Sequence, residues 1–351
     1  MVAALPRSPL HLRLLAANVE ALDIVFYRDA RLENFFTPDV RAKSIYLGRE
    51  SRWPEPPRFL QVRATNKAYY NLVRQTLGRW SYRRFIIFLE SEPLENLILD
   101  TLDPARLELW EEGLGHYVDF HGSLYNAVRG LAQAACGFHP TRILRRRAPR
   151  ERFGAVRDRF EDGSLQLAPE VTAPETQRDA VLFVGAPLVQ DRMIPRARYL
   201  RRLEDVVCAT RFPLVYYPHP REDRALLREL SVAFGESWFE IATPTVDVAT
   251  HCAHVEYRAY LSVLSTALLE TPAPARSAYL AGMFGLRRAH RVLAGLPFLP
   301  ARVVGTRADL LDFLGTAELS PAAPRDIDAS TQEASKTIDT AMPVQTERMV
   351  P

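Results

Sequence analysis

Ala180-Val181-Leu182-Phe183-Val184-Gly185 is a continuous apolar run of strand length that closes on a glycine. An uninterrupted run of this kind suits a strand buried on both faces, as in a parallel sheet. The pattern then repeats. A helix over 195–209 leads to a second apolar run, Pro213-Leu214-Val215-Tyr216-Tyr217, and a helix over 224–234 follows, with Glu222 and Asp223 at its positive end. A third strand over 260–264 turns into a helix near Ser265, a last strand covers 301–304, and a short helix covers 309–314.

The first half reads the same way. Strands are expected over 23–27, 84–89 and 106–110. A helix over 117–135 carries Tyr117, Phe120, Leu124, Val128, Leu131 and Ala135 at steps of three and four, and Gly137 and Pro140 stop it. Before Ser8 only Val2 to Leu5 is available as a strand. The fold class is therefore α/β, with one parallel sheet in each half. The expected division is 1–140, a linker over 141–178 that is rich in arginine and proline, a second domain over 179–318, and a tail over 319–351. Few large apolar residues occur in that tail, and it is expected to be disordered.

A length of 351 residues favours two domains. Net charge is only +3, which argues against a nucleic-acid partner. Only Lys43, Lys67 and Lys336 are lysines among 45 basic residues. Guanidinium forks suit oxyanions, although a GC-rich coding bias explains the same preference. Cys136, Cys208 and Cys252 have no metal or disulfide spacing and read as small buried residues of a reducing compartment. His251, Cys252 and His254 supply at most three ligands and read as structural. No stretch approaches the roughly 20 apolar residues of a membrane-spanning helix, and 1–15 has neither a secretory nor a transit pattern. The expected location is cytoplasmic, with a peripheral contact at the inner membrane through the arginine-rich linker.

In paired α/β domains, ligands bind at the carboxyl ends of the strands. Three segments fall there. Glu111-Glu112-Gly113 follows a strand, and of two adjacent carboxylates only one faces a cleft, where it can serve as a general base. Solvated loop glutamates are the plainer meaning. His219 stands between Pro218 and Pro220, so its backbone is stiff on both sides and its imidazole can donate to a leaving phosphate. Ser265-Thr266 lies where a strand meets a helix, a place for a phosphate or simply a cap.

These three segments, in this order, resemble the acidic-glycine, His-Pro and Ser-Ser/Thr motifs of bacterial sialyltransferases of glycosyltransferase family 52 and the related capsule polysialyltransferases. Ser8-Pro9-Leu10-His11 resembles the family's N-terminal loop, and the run from Val181 to Leu188 resembles the strand that opens its second domain. The likeness spans roughly 8–315 and rests on short motifs in the right order. It implies a GT-B arrangement, two Rossmann-like domains around a central cleft. It also implies inverting transfer without a metal, from CMP-sialic acid to a hydroxyl of a glycan or glycolipid such as lipooligosaccharide or capsule. On this likeness Glu111 is the base, with Glu112 as the alternative, and His219 the acid. Gly185, Pro220, Ser265 and Thr266 lie on the donor side. A transferase for another CMP-activated sugar, such as CMP-Kdo, and a non-catalytic protein of the same fold are the rival readings.

Overall fold

The computed structural model describes residues 1–51, 59–117, 123–140, 152–167, 174–235, 238–244, 246–271, 273–299 and 301–318. The expected tail, 319–351, and most of the arginine run lie outside these residues.

In the first domain β1 (Val2–Leu5) leads through α1 (Pro9–Asn18) to β2 (Ile24–Tyr27), then α2 (Pro38–Ala42), β3 (Ser44–Tyr46) and α3 (Phe59–Leu77). There follow β4 (Arg84–Ile87), α4 (Pro93–Thr101), β5 (Leu107–Trp110), α5 (Leu114–Tyr117), α6 (Ser123–Ala135) and β6 (Ala155–Arg157). These strands form one parallel sheet in the order β3-β2-β1-β4-β5-β6.

The second domain comprises β7 (Thr176–Val184), α7 (Arg196–Val207), β8 (Leu214–Tyr217), α8 (Arg224–Phe234), β9 (Phe239–Ile241) and α9 (Val248–His254). It continues with β10 (Val255–Ser262), β11 (Ser277–Tyr279), α10 (Arg287–Ala294), β12 (Arg302–Val303) and α11 (Arg307–Glu318). Its parallel sheet runs β12-β11-β10-β7-β8-β9, the same doubly wound order as the first. Each sheet therefore reverses its winding at one point, between β1 and β4 and between β7 and β10, and opens a crevice there.

The run 180–185 is apolar throughout because its side chains alternate between two cores. Val181 and Phe183 enter one cluster with α7 and α8, and Ala180, Leu182 and Val184 enter the other. The brief run at Val2 to Leu5 does the same in the first domain. All four residues are buried, Ala3 and Leu5 on one side and Val2 and Ala4 on the other. It is a central strand despite its length, because β2 and β4 flank it on both sides.

Three expectations change. Within 141–178, Ala155–Arg157 pairs with β5 as the edge strand of the first sheet, and β7 already begins at Thr176. An edge strand with one strong apolar residue has no pattern to announce it. Of the helix expected over 117–135, α6 covers 123–135, Tyr117 ends the separate α5, and 118–122 with Phe120 lie outside the described residues; Val128 (58% exposed) and Leu131 (74%) face solvent. Its other face is fastened instead, by an Arg129–Glu92 ion pair at 2.6 Å and by buried Gln133 and Cys136. Cys208, at the end of α7, is exposed rather than buried.

Candidate active site between the domains

The His-Pro motif forms the turn that leaves β8. The His219 backbone N–H donates to Glu222 Oε2 at 2.7 Å, and the N–H of Arg221 donates to His219 Nδ1 at 3.1 Å. An accepting Nδ1 leaves the ring proton on Nε2. Burial, with the nearby charges of Arg221 and Arg31, pushes the imidazole down to about 4. At neutral pH the ring is therefore a neutral Nε2–H donor rather than the expected cation. Arg31 belongs to the first domain, in the 3-10 helix Ala30–Phe35 after β2. Its guanidinium reaches the Pro220 carbonyl at 3.4 Å.

The acidic motif follows β5. Neighbouring side chains do point opposite ways there: Glu111 is wholly buried and Glu112 is partly exposed. Arg159, just after β6, grips Glu111 through Nη2 to Oε1 at 2.5 Å and Nε to Oε2 at 2.8 Å, and its backbone N–H donates to Oε2 at 3.1 Å. The pair is nearly sealed, with 0% and 7% of the side chains exposed. A base must reach the proton it removes, and Glu111 is enclosed by a guanidinium. Both carboxylate oxygens of Glu111 are taken up by Arg159. The residue acts as the counter-ion of Arg159, and Glu112 is the member of the pair with access to solvent.

Gly113 has φ +113°, and a Cβ there would stand 2.4 Å from Thr266 Cγ2. The two motifs thus touch across the domain boundary, and the backbone N–H of Leu114 donates to Thr266 Oγ1 at 3.2 Å. Only a glycine allows both the left-handed backbone and the approach.

The Ser-Thr segment begins after β10. Ser262 Oγ donates to the Val184 carbonyl at 2.7 Å and accepts from Ser265 N at 3.1 Å, which ties the turn to the end of β7. Ser265 caps a five-residue 3-10 helix, Thr266–Glu270, by accepting from Ala267 N at 3.3 Å. In place of the expected α-helix there is this short 3-10 turn, and Pro272 and Pro274 follow directly in the sequence, where a helix cannot readily continue. Each of the two hydroxyls can still donate its own proton outward.

Gly185 closes β7 and lies between the other two donor-side motifs. The segments leaving β10 and β8 are two inter-strand spacings apart, about 10 Å. Gly185 is also packed from below. A Cβ on it would meet Glu222 Oε2 at 2.4 Å and His219 N at 3.1 Å. The hydrogen bonds of His219 run within its own turn, to Glu222 and from Arg221, and not to Glu111, Ser265 or Thr266 among the described residues.

Further residues join the domains. Arg13, on α1, pairs with Asp247 at 2.9 Å and with Glu270. Tyr117 and Phe160 of the first domain pack on Phe298 of the second, with ring centroids 4.6 and 5.2 Å apart. Ser8 caps α1 by accepting from His11 N at 3.4 Å. His11 stacks on Phe88 at 4.0 Å, and burial pushes it down to about 3. Arg13, Arg31, Arg159 and Glu270 did not stand out in the sequence, since each is one charge among many, and Glu222, expected only as a charge at the start of a helix, folds back instead onto the His219 turn while Asp223 caps the helix. Among the described residues, no group of three or more His, Cys, Asp or Glu side chains converges as metal ligands. His251 Nε2 meets the Tyr257 hydroxyl and His254 Nδ1 meets Glu175. Among the described residues no helix is long and apolar enough to cross a membrane.

No protein-family model and no curated protein sequence matches the chain. Solved structures do. A protein described as a UDP-N-acetylglucosamine 2-epimerase from Listeria monocytogenes superposes with a TM-score of 0.52 at 11% identity, over 90% of this chain and 88% of that one. The UDP-GlcNAc 2-epimerase of Methanocaldococcus jannaschii, solved with UDP-GlcNAc and UDP, gives a TM-score of 0.51 at 9% identity, over 92% and 94%. At such identities the likeness concerns the fold alone: the chain has the two-domain, doubly wound GT-B architecture that these proteins share.

Proposed function

We propose that the protein is an inverting glycosyltransferase that moves sialic acid from CMP-sialic acid onto a hydroxyl of a surface glycan. The observation that carries this reading is the contact of Gly113 and Leu114 with Thr266. It brings the acidic motif of one domain against the hydroxyl motif of the other, with the His-Pro turn two strands away on the same sheet edge. The neighbouring folds that handle UDP-sugars support a nucleotide-sugar ligand in general, and the CMP-sialic acid choice rests on the order of the motifs.

In this reading the donor's phosphate lies between the His219 turn and Ser265-Thr266. His219 donates from Nε2. A phosphate dianion against that nitrogen favours the charged ring and opposes the burial that holds it neutral. Ser265 and Thr266 donate hydroxyl protons to the same phosphate as charge develops on it. Glu112 takes the proton of the acceptor hydroxyl, which attacks the anomeric carbon through an oxocarbenium-like state. Glu111 keeps Arg159 in place beside it.

The test is nucleotide release. Purified protein is incubated with CMP-sialic acid, CMP-Kdo or UDP-GlcNAc, each with and without galactosides or lipooligosaccharide. Acceptor-dependent release of CMP from CMP-sialic acid is the expected result. Release from CMP-Kdo alone would change the sugar, and release of UDP alone would reject the CMP donor.

A further inference from the structure

Beneath the His-Pro turn runs a buried chain of oxygen atoms that the motif itself does not include. Tyr199, on α7, and Tyr216, on β8, share a hydrogen bond of 2.8 Å between their hydroxyls. Tyr216 also donates to Glu222 Oε1 at 2.6 Å, while the His219 backbone N–H donates to Glu222 Oε2 at 2.7 Å. One carboxylate therefore ties the turn to β8 and, through Tyr216, to α7. An acceptor-only group satisfies both donors at once. Gly185 makes the room, since a Cβ at the end of β7 would collide with Oε2. Asp223 secures the far end of the turn by accepting from Leu226 N at 2.5 Å as the cap of α8.

The arrangement has a cost. Burial pushes the Glu222 carboxyl up to about 7, with a small contribution from Asp223, against the two donors that favour its charge. The groups around it are the Tyr199 and Tyr216 hydroxyls, the His219 backbone and Asp223. The cations Arg221 and Arg31 act on the His219 ring instead.

We propose that Glu222 is a positioning residue, which fixes the backbone of His219 through its N–H and so sets where the imidazole Nε2 points into the cleft. Its catalytic consequence rests on the assignment of His219 as donor to the leaving phosphate. Glu222 itself touches no reacting atom.

The test follows the ring as well as the rate. Histidine 15N resonances of His219 are recorded for the wild type and for Glu222→Gln, Glu222→Ala and Tyr216→Phe, alongside kcat and thermal unfolding. Glutamine can accept from His219 N and donate to Tyr216, so Glu222→Gln should keep the wild-type ring signal, with Nδ1 accepting, and most of the turnover. Glu222→Ala should shift the ring signal and lower kcat by roughly tenfold to a hundredfold, the scale of a misplaced catalytic group, with a smaller change in donor KM. Tyr216→Phe should fall between them, and carries the test with Glu222→Gln if the alanine variant does not fold. Folded Glu222→Ala and Tyr216→Phe proteins with unchanged His219 resonances would overturn the proposal, whatever their activity. A shifted ring in a protein whose His219→Ala variant turns over normally would uphold the positioning and reject the catalytic reading of His219.

Discussion

Arg159 encloses both carboxylate oxygens of Glu111 at 2.5 and 2.8 Å, with 7% of the arginine side chain and none of the glutamate exposed. Under the proposed mechanism the two adjacent glutamates have different tasks. Glu112→Gln is expected to lower turnover by roughly a hundredfold or more with folding intact, as for loss of a general base. Glu111→Gln leaves a buried guanidinium without its charge partner and should cost about 3–5 kcal/mol of stability. Denaturant unfolding and kcat on both variants separate the two. Full stability of Glu111→Gln with abolished turnover would return the base to Glu111.

His219→Ala should also cost roughly a hundredfold in turnover, the scale of a lost acid or electrostatic donor. A donor with a better leaving group than CMP needs less help at the phosphate, so it should partly rescue His219→Ala and leave Glu112→Gln impaired. Equal response of both variants to the leaving group would remove His219 from departure of the phosphate.

Gly113→Ala sets a Cβ 2.4 Å from Thr266 Cγ2 and strains a backbone at φ +113°. It should push the two domains apart and weaken donor binding. Thr266→Ala removes the colliding methyl, so the double variant should recover part of the binding, and a double-mutant cycle measures the coupling. Additive effects would mean that the two motifs do not depend on this contact.

Buried titrating groups around the site act on stability in opposite directions as the pH changes. His11 and His219 lie at about 3 and about 4 when folded, below their ordinary 6.5. As the pH falls below 6.5 the unfolded chain takes up protons that the folded one refuses. Stability present above pH 6.5 is lost toward pH 4, with a slope of about 1.4 kcal/mol per unit for each histidine. Glu222, at about 7 against an ordinary 4.5, runs the other way. Its contribution is complete below pH 4.5 and is lost as the pH rises to 7, about 3 kcal/mol in all. The stability difference between wild type and Glu222→Gln should therefore shift by about that amount across pH 4.5–7. A flat difference would show that the carboxyl keeps its ordinary affinity for protons.

Activity is expected to survive EDTA, because His219, Ser265 and Thr266 are assigned the phosphate's charge. Complete loss with EDTA, restored by magnesium or manganese, would assign that charge to a metal.

Local pattern alone was enough for much of the architecture. The runs at 180–185 and 213–217 announced β7 and β8 because a strand buried on both faces needs apolar residues at every position. The prolines around His219 marked a rigid turn, and the order of the three motifs pointed to a cleft between two α/β domains. Tertiary structure decided the rest. It made Val2–Leu5 a central strand, recruited Ala155–Arg157 to an edge, and turned Val128 and Leu131 outward. It also enclosed Glu111 with Arg159, left Glu112 partly exposed, and gave Arg13 and Glu222 their distant or folded-back partners. Backbone pattern is written in neighbouring residues, so it can be read along the chain. The role of a charge depends on its partner and its exposure, and here those come from afar: Arg159 lies 48 residues from Glu111, and Arg13 lies 234 from Asp247.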